Sequence, residues 1–340
     1  MLNRNIKLTP IISICIPTYN RCNKVYKLIN NILLYQGTEI EVIVLDNCST
    51  DETKHLLSEI KDPRFSFIQN EENIGGVFNL LKSLSLGSGK FSMLCLDKDS
   101  LDHRQIDKII KHINLDSEVV FGHCNQNLQK YSEDVFYAKG YDSVVNMAYL
   151  SRHPTGMFYK TTEYNDLSLV KKIFVEKQMF PFYTDMINAE MAMIGKSQII
   201  NVPSFYTESK DEASKSPSFT YDVNNAYFSP AKRIVEFDTY LENAQNLNLS
   251  SKELFRLIFT LYGHELMQST FGYRYMIEDD HVCLHNRIAK EKVGFVKLWK
   301  LNFLFTSHFF KKRMKINIMQ KILIVLCWNT KFLLKSFLSK

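Results

Sequence analysis

The chain holds 340 residues with 45% apolar and 13% aromatic side chains, which excludes general disorder and leaves room for one large domain or two of ordinary size. Its net charge of +6 is unevenly placed: eleven Lys or Arg and no Asp or Glu stand between Lys292 and Lys340, against 31 basic and 36 acidic residues elsewhere. A mildly acidic body argues against the spread positive surface of a nucleic-acid enzyme, so no nucleic-acid partner is expected.

The seven cysteines form no CxxC pair and sit mostly inside apolar runs, as the reduced thiols of a cytoplasmic protein would. The polar start MLNRNIKLTP carries no signal-peptide pattern.

Along the chain, Ile11–Ile16 reads as a buried strand ending in Pro17-Thr18-Tyr19-Asn20-Arg21, and Lys24–Leu34 as an amphipathic helix. Backbone amides and a guanidinium at that helix start suit a base or a diphosphate. Glu41–Leu45 is a second strand, and Asp46 at its tip can accept from a uracil N–H or a ribose hydroxyl. Ser49 and Asp51 in the next loop suit capping of a helix Asp51–Ile60. Phe65–Ile68 is a short third strand. The loop Asn70–Gly76 opens a helix Gly76–Leu86; Asn73 can cap the turn or meet a nucleotide, and Gly75 lets the backbone come close to it.

Phe91–Leu96 is the fourth strand and runs into Asp97-Lys98-Asp99. Two acids one residue apart in an extended loop can reach one hard cation, Mg²⁺ or Mn²⁺, that bridges a diphosphate. A helix His103–Ile113 and a strand Val119–Phe121 follow. Strands alternating with helices of this length imply βαβ units and a parallel sheet, hence an α/β fold.

From Asp142 the pattern turns helical around a short strand near Gly156–Tyr159, then a helix Thr184–Ile194 and a strand Gln198–Val202. Residues 207–230 are polar and rich in Ser and Pro, the composition of a surface loop or lid, and helices fill the rest. The organisation expected is an α/β domain over 1–205, a loop or lid over 206–230 and a helical region over 231–340.

Taken together, PTYNR, the D-x-x-S-x-D of Asp46–Asp51, the N-x-G of Asn73–Gly75 and the Asp-x-Asp of Asp97–Asp99 resemble inverting glycosyltransferases of family 2, with the GT-A fold, over roughly Ile11 to Val202. The resemblance implies a Rossmann-like, mostly parallel sheet flanked by helices. It also implies a nucleotide-sugar donor, UDP first among them, and a glycan or lipid-linked glycan acceptor. Pro17, Thr18, Tyr19 and Arg21 would line the nucleotide pocket, Asp46 would hold the base, Asn73 and Gly75 would meet the nucleotide, and Asp97 would lie near ribose or metal. Asp99 would be the firmest ligand of Mn²⁺ or Mg²⁺. Asp185, at the start of the 184–194 helix, matches the family's general base, with Glu190 in reserve; His153 and Gly156 fall on its acceptor-side strand.

Three departures stand beside these matches. Phe78-Asn79 replaces an Arg-Asn pair, the metal loop reads DKD where many members read DDD, and no Gln-x-x-Arg-Trp follows Asp185, which favours single-sugar transfer over polymer synthesis. GSGK at Gly87–Lys90 lacks the spacing of a P-loop, and His281, Cys283 and His285 have no second cluster that would complete a zinc site. The basic, aromatic tail 293–340 suits helices lying on an anionic membrane, which would hold the protein on the inner face of the cell membrane. A sugar-phosphate nucleotidyltransferase and a non-catalytic scaffold of a glycan-assembly complex are the alternative readings.

Overall fold

All seven residues of strand β1 (Ile12–Thr18) are buried, and so are all but one of β2 (Ile40–Asp46), so helices must cover both faces of the sheet they share. The computed structural model describes residues 9–126, 132–177, 180–209 and 226–338. It divides into two units, Met1–Glu208 and Ser209–Lys340.

In the first unit β1 lies between β2 and β4 (Phe91–Leu94), parallel to both, and β3 (Phe65–Gln69) runs parallel to β2. The helices between these strands are amphipathic. In α1 (Cys22–Leu33), Val25, Leu28, Ile29 and Ile32 turn inward at spacings of three and four. α2 (Thr53–Ser58) is shorter than expected because Asp51 ends the preceding loop by accepting from the Thr53 N–H at 3.1 Å. α3 (Gly76–Ser85) and α4 (Ile106–Ile113) complete the alternation.

Beyond β4 the sheet changes direction. β8 (Met157–Lys160) pairs antiparallel with both β4 and β6 (Val119–Gln126), and β9 (Lys196–Tyr206) runs parallel to β6. The order is β3-β2-β1-β4-β8-β6-β9-β5, with two pieces that sequence pattern did not mark: β5 (Ser100–Leu101) and β7 (Val135–Tyr137), both on β9. They are two and three residues long, too short for a period-2 signal. α5 (Tyr141–Met147), α6 (Thr161–Asp166), α7 (Ser168–Glu176) and α8 (Tyr183–Ala192) flank this half. The architecture is the expected α/β one, a largely parallel mixed sheet between helices. All seven cysteines are free thiols, and burial pushes those of Cys15, Cys95 and Cys124 up.

The second unit is helical. α9 (Pro230–Asn246) starts at Ser229, whose hydroxyl accepts from Lys232 N–H, and α10 (Ser251–Met267) starts at a capping box of Ser250 and Glu253. A π-helical segment Gln268–Gly272 leads into α11 (Tyr273–Glu278), followed by α12 (Asp280–Asn286), α13 (Phe295–Lys311) and α14 (Ile318–Leu338). Gly263 of α10 makes room for α14: a Cβ there would stand 1.9 Å from the Trp328 ring. The expected loop over 207–230 falls for the most part, 210–225, outside the described residues.

His123 of β6 is 7% exposed, and burial, with the charge of Arg152 nearby, holds its imidazole down to about 4. The unfolded chain titrates near pH 6.5, so between there and about pH 4 the unfolded state takes up a proton that the folded state refuses. Stability from this group is therefore complete above pH 6.5 and is lost as pH falls toward 4. Thermal melts of His123→Asn should show a shallower acid fall than the parent, by up to ~3 kcal/mol at the acid end.

Candidate functional site

The candidate residues gather at the carboxyl edge of β1, β2 and β4, where open α/β sheets take their ligands. Thr18, last residue of β1, donates its hydroxyl to Asp97 Oδ2 at 2.8 Å. Arg21, at the N-cap of α1, sets its guanidinium 2.9 Å from Asp97 Oδ1 and 3.3 Å from Oδ2. Asp97 is 3% exposed, and that burial raises its carboxyl above the usual range while Arg21 and Thr18 pull it back. Pro17 is buried in the strand and Tyr19 stands open at the tip.

Asp46 ends β2 fully buried. Its Oδ2 accepts from Ser49 N–H at 3.1 Å and Gln69 Nε2 at 2.7 Å, and its Oδ1 takes a short bond from the Ser49 hydroxyl. Asp51 accepts from the Cys22 N–H at 3.0 Å as well as from Thr53, so it ties this loop to the start of α1. Beside Asp46 runs a web of amides. Asn47 donates to Asn73 (2.7 Å), Asn70 to Asn79 (2.8 Å) and Asn79 to the Leu45 carbonyl (3.0 Å), while the Gly75 N–H donates to Asn73 (2.9 Å). Gly75 has φ of 88°, a left-handed backbone that glycine adopts freely.

Asp99 is 5% exposed. Its Oδ2 takes a short bond from the Thr155 hydroxyl, its Oδ1 accepts from the Glu208 N–H at 3.2 Å, and His153 Nε2 stands 3.7 Å from Oδ2. Thr155 in turn accepts from the Leu96 N–H at 3.1 Å, so one hydroxyl fixes both the strand end and the carboxylate. Burial lowers the His153 imidazole against the opposing pull of Asp99. Among the described residues no group of three or more His, Cys, Asp or Glu converges. One carboxylate and one imidazole are nonetheless a fitting protein share for Mg²⁺ or Mn²⁺, which take most of their ligands from phosphate oxygens and water.

Asp185 lies in the first turn of α8, 1% exposed, where the helix dipole supports its charge. Its Oδ2 accepts from the Ser151 N–H at 2.9 Å. Ser151 and Tyr149 both have left-handed backbones, φ 47° and 56°, so the loop before β8 is bent to aim that amide. Glu190, a turn and a half further on, is half-buried; burial, with the charges of Glu190 and Asp185, pushes the Tyr149 hydroxyl well up. A cavity of about 240 Å³ is lined by Ser151, His153, Pro154, Phe182 and Tyr183. It therefore touches both the loop that holds Asp185 and the imidazole beside Asp99. A wider groove of about 420 Å³, around Asp102, Arg104 and Tyr206, contains none of these groups.

Residues 13–167 match the family described as Glycosyl transferase family 2. That segment is similar to the family and makes up less than half of the chain. An abequosyltransferase, RfbV, of Salmonella typhimurium is 36% identical over 101 residues, 27% of this chain and 30% of its own length. A GalNAc(5)-diNAcBac-PP-undecaprenol beta-1,3-glucosyltransferase of Campylobacter jejuni is 25% identical over half of this chain and 55% of its own. The chain spans only 30 to 41% of the first three curated relatives it matches. Among solved structures, S. aureus TarS 1–349 in complex with UDP-GlcNAc has a TM-score of 0.52 at 14% identity, over 90% of this chain and 94% of that one. At that identity the likeness establishes the fold.

Within residues 13–167 the structure brings Thr18, Arg21, Asp46, Asn73, Gly75, Asp97 and Asp99, all singled out from sequence pattern, to one edge. Sequence pattern missed Thr155, although Thr155 adjoins the Gly156 already noted, and it read Asn79 only as a departure. Asn79 holds β2, and through Asn70 the loop that carries Asn73. Asn79→Leu leaves the Leu45 carbonyl and the Asn70 amide each short of a partner, and should lower stability by ~2 kcal/mol, read as a lower urea midpoint at unchanged slope.

Proposed function

We infer that this protein is an inverting glycosyltransferase that moves a single sugar from a nucleotide donor, UDP-linked, to a hydroxyl of a surface-glycan precursor such as a capsule, O-antigen or lipooligosaccharide intermediate. The observation that carries the reading is the pair of buried carboxylates, Asp99 and Asp185, whose neighbours His153 and Ser151 line one cavity. The names of the relatives above, an abequosyltransferase and a glucosyltransferase acting on an undecaprenol-linked glycan, support the same class.

In this reading Pro17, Thr18, Tyr19, Arg21, Asp46, Asn73, Gly75 and Asp97 bind the nucleotide at the strand tips. Asp99, with His153 beside it, would hold Mn²⁺ or Mg²⁺, which when bound neutralises charge on the departing diphosphate. Asp185 takes the proton of the acceptor hydroxyl as that oxygen bonds to the anomeric carbon and the opposite bond to the diphosphate breaks. The Ser151 amide keeps Asp185 in place during that transfer. The setting is the inner face of the cell membrane, with an acceptor that is a glycan or a lipid-linked glycan.

Asp99→Ala should abolish the thermal shift produced by UDP with Mn²⁺ and lower sugar transfer at least ~100-fold. A variant that keeps both removes Asp99 from the site. Asp185→Asn should bind the donor as the parent does while transfer falls ~10²- to 10⁴-fold. Transfer at the parental rate by this variant passes the role of base to Glu190 or to another group.

A further inference from the structure

The last two helices leave much of their apolar surface in solvent. α13 and α14 pack antiparallel: the Phe295 and Phe337 rings lie 6.1 Å apart, Trp299 and Phe332 5.3 Å, Asn302 donates to Asn329 at 2.8 Å, and Lys321 Nζ donates to the Phe310 carbonyl at 3.2 Å. Each helix buries one side, with Leu298, Phe305 and Phe309 on α13 and Ile324, Val325 and Phe332 on α14. Opposite those residues stand Val296 (67% exposed), Phe303 (75%) and Leu304 (53%) on α13, and Met319 (69%), Leu326 (61%) and Leu334 (62%) on α14. Positions seven and eight apart share a helix face, so each set is a stripe and not a scatter. Of the 23 large apolar side chains exposed among the described residues, twelve lie on this hairpin. Exposed apolar residues scattered singly need no explanation, but continuous stripes mark a surface that is covered in use.

The charge of the hairpin says by what. Lys311, Arg313 and Lys315 are exposed around the turn between the helices, Lys300, Lys331 and Lys335 are exposed along them, and no acid occurs after Glu291. A second copy of the chain would set this basic face against its own like charges. No helix among the described residues is long and apolar enough to cross a membrane. We propose that the α13–α14 hairpin lies flat in the surface of an anionic lipid bilayer, with its apolar stripes among the acyl chains and its lysines and arginine against phosphate headgroups. The proposal rests on the membrane setting inferred above and specifies the face and the lipid chemistry.

Sedimentation of the full chain with vesicles, no nucleotide-sugar present, tests it. The protein should partition into vesicles containing phosphatidylglycerol at least tenfold better than into phosphatidylcholine alone, and should do so less as salt rises. Phe303→Ser combined with Leu326→Ser, both at exposed positions, should cut that partition at least tenfold with the parental circular dichroism and Tm. Lys311→Glu combined with Arg313→Glu should weaken it more than ~25-fold, since each basic residue near an anionic surface is worth about fivefold. Equal partition into both vesicles, or variants that bind as the parent does, overturns the proposal. A dimer in sedimentation equilibrium that the Phe303 and Leu326 changes dissolve also overturns it, and makes a second copy the occupant. Vesicle binding by a protein that transfers no sugar refutes only the catalytic reading, and transfer without vesicle binding refutes only this surface.

Discussion

The structure at the strand tips is governed by the cost of burying carboxylates. Asp46, Asp97, Asp99 and Asp185 are each 5% exposed or less. An ionised carboxylate withdrawn from water without partners costs several kcal/mol, so each of these positions is tenable only where neighbouring elements supply donors. The donors come from different segments: Ser49 and Gln69 for Asp46, Thr18 and Arg21 for Asp97, Thr155 and the Glu208 amide for Asp99, and the Ser151 amide for Asp185. The order of elements in the first unit can be read as the arrangement that satisfies these four groups at once.

The change of direction at β8 follows from that requirement. A continued parallel sheet would bring the amino end of the next strand away from the tip of β4, whereas an antiparallel β8 brings its entry loop there. That loop carries Ser151, His153 and Thr155, and its left-handed residues direct one amide to Asp185 while Thr155 reaches Asp99. Gly156, with φ of 90°, ends the loop where its N–H meets the Leu94 carbonyl at 2.8 Å. One bent segment thus connects the two carboxylates to which the proposed chemistry assigns different tasks.

How much of this the sequence disclosed follows from the range of the interactions. Buried strands, amphipathic helices and the polar loops between them are local patterns, and the first four strands stand where hydrophobic periodicity placed them, within a residue or two at each end. Asp97 and Asp99 were conspicuous because two acids closing an apolar run are locally anomalous. Thr155 and Asn79 were not conspicuous. A threonine before a glycine and an asparagine in a helix are ordinary until their partners, 56 and 34 residues away, are known. Short edge pieces such as β5 and β7 exist only because β9 is there to pair with them.

A site built from buried acids is a poor host for an anionic diphosphate unless positive charge accompanies the ligand or waits for it. Arg21 and Lys24 wait at the start of α1, yet Arg21 is already bound to Asp97 and Lys24 to Glu208. In the proposed reaction a nucleotide-sugar must therefore draw these side chains from the acids or bring a divalent cation to Asp99, and the second course leaves the Asp97 pair undisturbed. In that reading the His153 imidazole, held down by burial, would stand beside the cation without adding positive charge of its own.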